Sequence, residues 1–334
     1  MQNTFGKNIK ITIFGASHAP EIGVIIDGLP QGFAIDTKEL IAFLQRRAPG
    51  QGQHTTSRRE PDEPDFIEGL ENGKTTDKPL KVIIRNMDIK PSDYDNIRDV
   101  PRPSHADYTA YVKYGESFEA SGGGAFSGRM TAPLCIAGGI CLQLLAARNI
   151  QIAACITQVG NVTGQGLTAQ MLEAIEQARQ LGDSLGGVIE CTITGVPAGI
   201  GEPMFDGIEN HISSIIFGIP AIKGIEFGNG FAAAALKGSE NNDAFIVKDG
   251  EIQTRTNNHG GILGGISSAM PIVFRVAIKP TPSIAKEQDS VSLSRLEPAK
   301  LSIQGRHDPC IAPRAVPCIE AAAAVAIYDL LLMS

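Results

Sequence analysis

The run APLCIAGGICLQLLAA, Ala132 to Ala147, contains a single strongly polar side chain, Gln143. It is shorter than the ~20 residues that a bilayer crossing needs, so the pattern predicts a buried helix around which the rest of the chain must be arranged. A second apolar run, CIEAAAAVAIYDLLL at Cys318–Leu332, predicts a closing helix. With 334 residues and 43% hydrophobic side chains, the chain has the apolar content to enclose both. No linker and no internal repeat divides it, and residues 1–334 are expected to form one domain.

IKITIF and IGVIIDG are β-rich and flank the turn-forming GASHAPE, which places His18 on a loop between two strands. Asp36 opens TKELIAFLQRR, with Glu39 positioned to complete a variant capping box; Arg46 and Arg47 end the helix before Pro49-Gly50. PLKVIIRN, IQIAACITQV, GGVIECTITGV and PIVFRVAI predict further strands, and FIVKDGEIQ a hairpin about Asp249-Gly250. GLTAQMLEAIEQARQLG carries helical apolar spacing at Leu167, Met171, Leu172, Ile175 and Ala178. Strands and helices alternate too irregularly for a β/α barrel or a doubly wound sheet, which predicts an α+β fold.

The net charge of −7 argues against nucleic acid or an acidic membrane as partner, because the long-range field repels both. An anionic ligand must then be held by a local cluster of cations. Six cysteines without a C-x-x-C pair point to free thiols in a reducing cytoplasm, and the N-terminus has no secretory pattern. Two long polar connections, Ala48–Asp65 and Met87–His105, carry arginines and mark a functional region.

Several motifs bear on chemistry. SGGGAFSGR, Ser121 to Arg129, resembles a loop that lets an anion approach the backbone, yet its centre offers only Ala125 and Phe126. GLENGKTT has three residues between its glycines where a P-loop needs four, and reads as a polar turn. Gly228, Gly230 and Ala233 fit a G-x-G-x-x-A dinucleotide fingerprint, but the acidic residues that follow at Asp249 and Glu251 fall in the hairpin. His18, His105 and His307 sit in Gly/Pro-rich connections beside Ser, Asp or Arg, positions suited to acid–base work. The pairs His105/Asp107 and His307/Asp308 leave a metal site open. NNHGGILGGISSAMPIVFRVAIKPTPSI places backbone and hydroxyl donors around Lys279, which suits a phosphate.

Eight segments in order, FGASHAPEIG, RRAPGQGQHTTSRREPD, RPSHADYTAYVKYG, SGGGAFSGRMTAP, GVPAGIGEPMFD, IPAIKGIEFGNGF, the NNHGG stretch and GRHDPCIAPRAVPCIEAAAAVAIYD, resemble the chorismate synthase family over essentially the whole chain. The resemblance implies a β-α-β sandwich, usually a homotetramer, and a 1,4-anti elimination of phosphate from 5-enolpyruvylshikimate 3-phosphate. Reduced FMN is required without net redox change, so an external reductant is expected, NADPH being an indirect source. By motif, His18 corresponds to the acid for the departing phosphate, His105 to the residue that protonates or stabilises the flavin, and Asp308 to the base. Ser17, Arg47, Arg102, Arg129 and Arg306 correspond to substrate contacts, and Arg47 also to a position associated with NADP. The flavin contacts implied are Ala125, Phe126, Ser127, Ala221, Gly264, Lys279, Pro280, Thr281, Pro282, Ser283 and Arg306, with no metal.

The sequence departs from the family pattern at Ala125 and Ser121, where basic residues are common, at Ala16 and Ser104, and at Gln53, which lowers substrate affinity unless Arg58, Arg59 or Lys74 compensates. A catalytically impaired flavin- or anion-binding relative is therefore an alternative, and a Rossmann-type NAD oxidoreductase built on Gly228 a more distant one.

Overall fold

The computed structural model describes residues 3–50, 62–87, 99–115, 121–303 and 308–333. Two five-stranded antiparallel sheets enclose a layer of helices. The first runs in the order Thr4–Phe5, Lys10–Gly15, Glu21–Asp27, Leu80–Arg85, Asp65–Glu68. The second runs Ile222–Phe227, Ile272–Ile278, Gly187–Thr194, Gln151–Val159, Val162–Thr163. Their strands alternate between buried and half-exposed residues, as in Gly187–Thr194, because one face of each sheet packs on the helices.

The helices are α1 (Thr37–Arg47), α2 (Asp107–Tyr114) at the edge of the site, α3 (Thr131–Ala146), α4 (Ala169–Gln180), which packs on Gln151–Val159, α5 (Ile208–Ile216), the short exposed α6 (Gly238–Asn241) and α7 (Ala312–Leu331); α1, α3, α5 and α7 pack on one another as the central layer. The helical layer is centred on α3, which touches strands of both sheets, and on α7, which packs along it. Both apolar runs are the helices expected. The segment Gly128–Ala146 is long and apolar enough to cross a membrane, but 89% of it is buried inside the protein.

Small residues set the helix spacing. A Cβ added at Gly138 would stand 2.2 Å from the Ala321 Cβ on α7, and one at Gly139 would stand 2.5 Å from Leu40 on α1. The polar residues of the two apolar runs are bonded to other layers. Gln143 accepts from the Asp36 backbone N–H at 3.0 Å and donates to its carbonyl at 2.9 Å. Glu320 accepts both guanidinium nitrogens of Arg46, at 2.6 and 3.0 Å, and the Ala154 N–H at 3.0 Å. Asp329, fully buried, accepts the backbone N–H groups of Lys7, Asn8 and Ile9.

Three expectations need correction, and the dinucleotide alternative finds no support. Asp36 caps α1 by accepting from Lys38 and Glu39, but the reciprocal bond to its own N–H comes from Gln143 rather than Glu39, so no capping box forms. SGGGAF is not an open loop; Ser121–Phe126 is a 3-10 turn, followed by a second at Gly128–Met130 that runs into α3. Gly228 precedes and Gly230 opens a 3-10 segment, Gly230–Ala235, after a strand that is antiparallel to its neighbour, and neither feature belongs to a dinucleotide fold. Leu167 is outside the core, 41% exposed. The hairpins about Asn72-Gly73 and Asp249-Gly250 form with positive φ at both turn residues, as type I′ turns require.

Gly138→Ala is expected to cost about 1–3 kcal/mol by forcing α3 and α7 apart. Gly238→Ala, where nothing lies within 4 Å of the added Cβ, should be neutral. Thermal melts of the two variants test this; equal midpoints would mean that the helix spacing is not fixed at Gly138.

Candidate active site

At the N-terminal ends of α3 and α7 the helical layer opens into a cleft of about 550 Å³. The 3-10 turn forms one part of its wall through Ala125, Phe126 and Ser127; the connection from Phe217 to Ile222 and the turn Thr281–Ser283 form others. Among the described residues, five cations reach it, Arg47, Arg102, Arg129, Lys279 and Arg314.

Arg47 and Arg129 share one counter-ion. Asp62, whose side chain is wholly buried, lies 3.1 Å from Arg47 Nε and accepts from Arg129 Nη1. It adopts φ 52°, a left-handed conformation that aspartate tolerates better than most residues. Asn86 accepts from Arg129 Nε at 3.1 Å and donates to the carbonyls of Ala16 and Ala19, which ties the His18 loop to the same network. A carboxylate or guanidinium buried here would be costly alone; each is held by the others.

A second cluster orients His105. Asp107, in the first turn of α2, accepts from Arg102 Nε and Nη2, both at 2.7 Å, and lies 2.6 Å from His105 Nδ1. This geometry assigns the Nδ1 proton to the bond with Asp107 and leaves Nε2 for the cleft. The imidazole rests against Gly123, where an added Cβ would stand 3.3 Å from the ring. Gly123, buried in the SGGGAF turn, thus makes room for a histidine. Burial opposes ionisation of Asp107, but the bonds from Arg102 and His105 outweigh it and hold the carboxyl well below its usual range.

Asp308 and Arg314 form a third pair at 2.5 Å, and Arg314 Nε also donates to the Arg47 carbonyl at 3.0 Å. Lys279 donates to the carbonyl and hydroxyl of Ser104, and burial followed by the nearby Lys223 lowers its pKa. Ser104 has φ 61°, a conformation that favours glycine, so the hydroxyl that reaches Lys279 is carried on an unfavourable backbone.

Of the expected site residues, the cleft brings together His105, Arg47, Arg102, Arg129, Ala125, Phe126, Ser127, Ala221, Lys279, Thr281, Pro282, Ser283 and Asp308. Ser17 and His18 stand just outside it, bonded to each other at 3.0 Å and joined to the glycine turn through Ser17 N–H and the Gly124 carbonyl. Pro280 points to solvent and Gly264 occupies an exposed turn, so neither lines the cleft. Arg306, His307, Gln53, Arg58 and Arg59 lie outside the described residues. Arg102 lines the cleft with its Nε and Nη2 bonded to Asp107 and its Nη1 3.2 Å from Ser283, so it also positions His105 through Asp107. Asp107 is an ion-pair partner rather than a metal ligand. Lys74 sits in a hairpin away from the cleft and does not compensate for Ala125.

The family model described as chorismate synthase matches residues 9–332. The chain belongs to the chorismate synthase family. It is 45% identical to the chorismate synthase of Lancefieldella parvula over 99% of this chain and 96% of that protein. Identity is 42% to that of Korarchaeum cryptofilum, covering 99% and 97%, and 43% to that of Thermococcus kodakarensis, covering 98% and 97%. A crystal structure of chorismate synthase superposes with a TM-score of 0.75 at 24% identity, covering 98% of this chain and 93% of that one, which supports the β-α-β sandwich. Its activity is that of the family, a lyase reaction that yields chorismate. A Rossmann oxidoreductase is not supported.

Asp62, Asn86 and Arg314 escaped the sequence reading; Arg314 alone left a signal, as a cation six residues beyond Asp308 in an otherwise apolar helix start. Because the folded pKa of Asp107 is depressed, its stabilisation is complete above about pH 4, the ordinary carboxylate value, and lost as pH falls below it. Asp107→Asn is expected to lose roughly 3 kcal/mol near neutrality, with the gap to wild type closing in acid. Urea titrations across that range test this, and a gap that widens in acid would refute it.

Proposed function

We propose that the cleft binds 5-enolpyruvylshikimate 3-phosphate beside reduced FMN and removes phosphate and a ring proton in a 1,4-anti elimination. The charge arrangement carries this reading. Among the described residues five cations meet three carboxylates, Asp62, Asp107 and Asp308, an excess of two positive charges on a chain of net charge −7. A phosphorylated dicarboxylate is the kind of ligand such a cleft attracts.

The cleft also suits a flavin. Its volume falls in the range of about 300–1,000 Å³ typical of cofactor and ligand sites, and apolar Phe126, Pro282 and Ala221 stand near Lys279, a cation for the cofactor phosphate. When bound, reduced FMN supplies electron density that assists departure of the phosphate. Arg47, Arg129 and Arg314 offset the charge of the substrate and of the phosphate as it leaves. His18 is the proposed acid; its loop is fixed by Asn86 and by Ser17 against the turn that walls the cleft. His105 exchanges a proton through Nε2, held by Asp107 and Arg102. Asp308 accepts the substrate proton, its orientation set by Arg314. With Arg47 only 2% exposed, NADPH fits better as a remote source of reductant than as a ligand here.

An anaerobic assay with chemically reduced FMN and 5-enolpyruvylshikimate 3-phosphate should give chorismate and phosphate in equal amounts. Flavin binding without products would instead favour the impaired relative that Ala125 suggests. His105→Ala is expected to lower turnover by at least about 10²-fold with an unchanged melting midpoint; undiminished turnover would remove His105 from the mechanism.

The single domain, cytoplasmic location and homotetramer belong to the same proposal. One core cluster spans both sheets, and Phe205, Phe231, Phe245, Val247 and Ile252 are all more than two-thirds exposed. Such side chains are expected to be covered by further copies. Light scattering should give four times the chain mass, and a monomer at micromolar concentration would overturn this.

A further inference from the structure

Cys318 lines the cleft and Cys135 lies behind it, with the two sulfurs 3.8 Å apart across the seam between α7 and α3. They are far apart in sequence, and the seam that joins them is tightly packed one turn further on, where Gly138 meets Ala321. A disulfide requires the sulfurs to reach about 2.05 Å.

The two thiols differ in surroundings. Cys318 receives the S–H of Cys135, and Arg47, Thr131 and Arg314 also favour its thiolate over the opposing effect of burial. Its own thiol reaches the Arg314 carbonyl at 3.5 Å. Burial and the neighbouring sulfur push Cys135 the other way, and burial also pushes up Cys141, Cys191 and Cys310. Cys318 is therefore the sulfur placed to attack and Cys135 the one placed to resolve.

We propose that Cys318 and Cys135 are a peroxide-oxidised thiol pair in the wall of the cleft. The Cys318 thiolate attacks one oxygen of hydrogen peroxide, giving a sulfenic acid and hydroxide. The Cys135 thiol then attacks that sulfur, a disulfide forms, and the sulfenic oxygen leaves as water. Two thiols and one peroxide become one disulfide and two waters, and a dithiol restores the reduced pair. Reduced flavin bound in the cleft would yield hydrogen peroxide with dioxygen, and the oxidant would then arise beside the thiols. Only this source rests on the proposed flavin reaction; the thiol chemistry can be tested with added peroxide alone.

The test uses the full chain, reduced, desalted and treated with stoichiometric hydrogen peroxide without flavin. Thiols counted after unfolding should fall from six to four, with one disulfide mapped to the peptides of Cys135 and Cys318 and reversed by dithiothreitol. Cys135→Ser should stop at a sulfenic acid on Cys318 that dimedone traps, and Cys318→Ser should keep its remaining five thiols at the same dose. Melting curves establish that both variants are folded. Retention of all six thiols in wild type, or oxidation confined to the half-buried Cys155, would overturn the proposal. If added peroxide oxidises the pair but aerobic reduced flavin does not, the thiol site stands and the flavin source fails.

Discussion

Helices α3 and α7 meet where neither has a side chain larger than a methyl group, Gly138 against Ala321. At this contact two apolar helices come near enough to act as a single slab, and a sheet can then cover each side. Burying such a slab would strand its polar groups, so each one is used as a tie between layers. Gln143 binds the entry of α1, Glu320 binds α1 and a strand of the second sheet, and Asp329 gathers the N–H groups that precede the Lys10–Gly15 strand. The slab's N-terminal ends are left uncovered by sheet, and the cleft opens there.

The charges in that cleft follow from the same geometry. An acidic protein can hold an anion only if cations are concentrated locally, and buried guanidinium groups persist only with partners. Asp62 and Asp107 provide those partners from behind the cleft and cancel part of the charge they organise. Rigidity is what the arrangement gains. Arg102 fixes a histidine through a carboxylate, a role that the family likeness taken alone does not indicate.

The sequence was most legible where local rules decide. Asp36 as helix cap, Asp249-Gly250 as hairpin turn and the two apolar helices follow from neighbours in the chain. The site residues that were missed are those whose role is set by tertiary contact. Asp62 lies in a charged polar run with no periodicity, and nothing in that run indicates that both Arg47 and Arg129 converge on it. Gln143 displaced Glu39 from the cap for the same reason, its partner being more than a hundred residues away. The glycines of SGGGAF suit an anion loop and a tight turn equally, and the His105 ring that packs on Gly123 comes from another segment.

The joint use of Asp62 and Asn86 has a consequence for how this site can change. Asp62 serves two arginines, Asn86 serves one of those arginines and two carbonyls of the His18 loop, and Arg314 reaches both Asp308 and the Arg47 backbone. Substitutions within such a web do not act independently. Once one member is lost, losing the next removes less than it would alone. The web thus tends to persist entire or to decay as a unit, whereas Ala125, at its margin, could change alone.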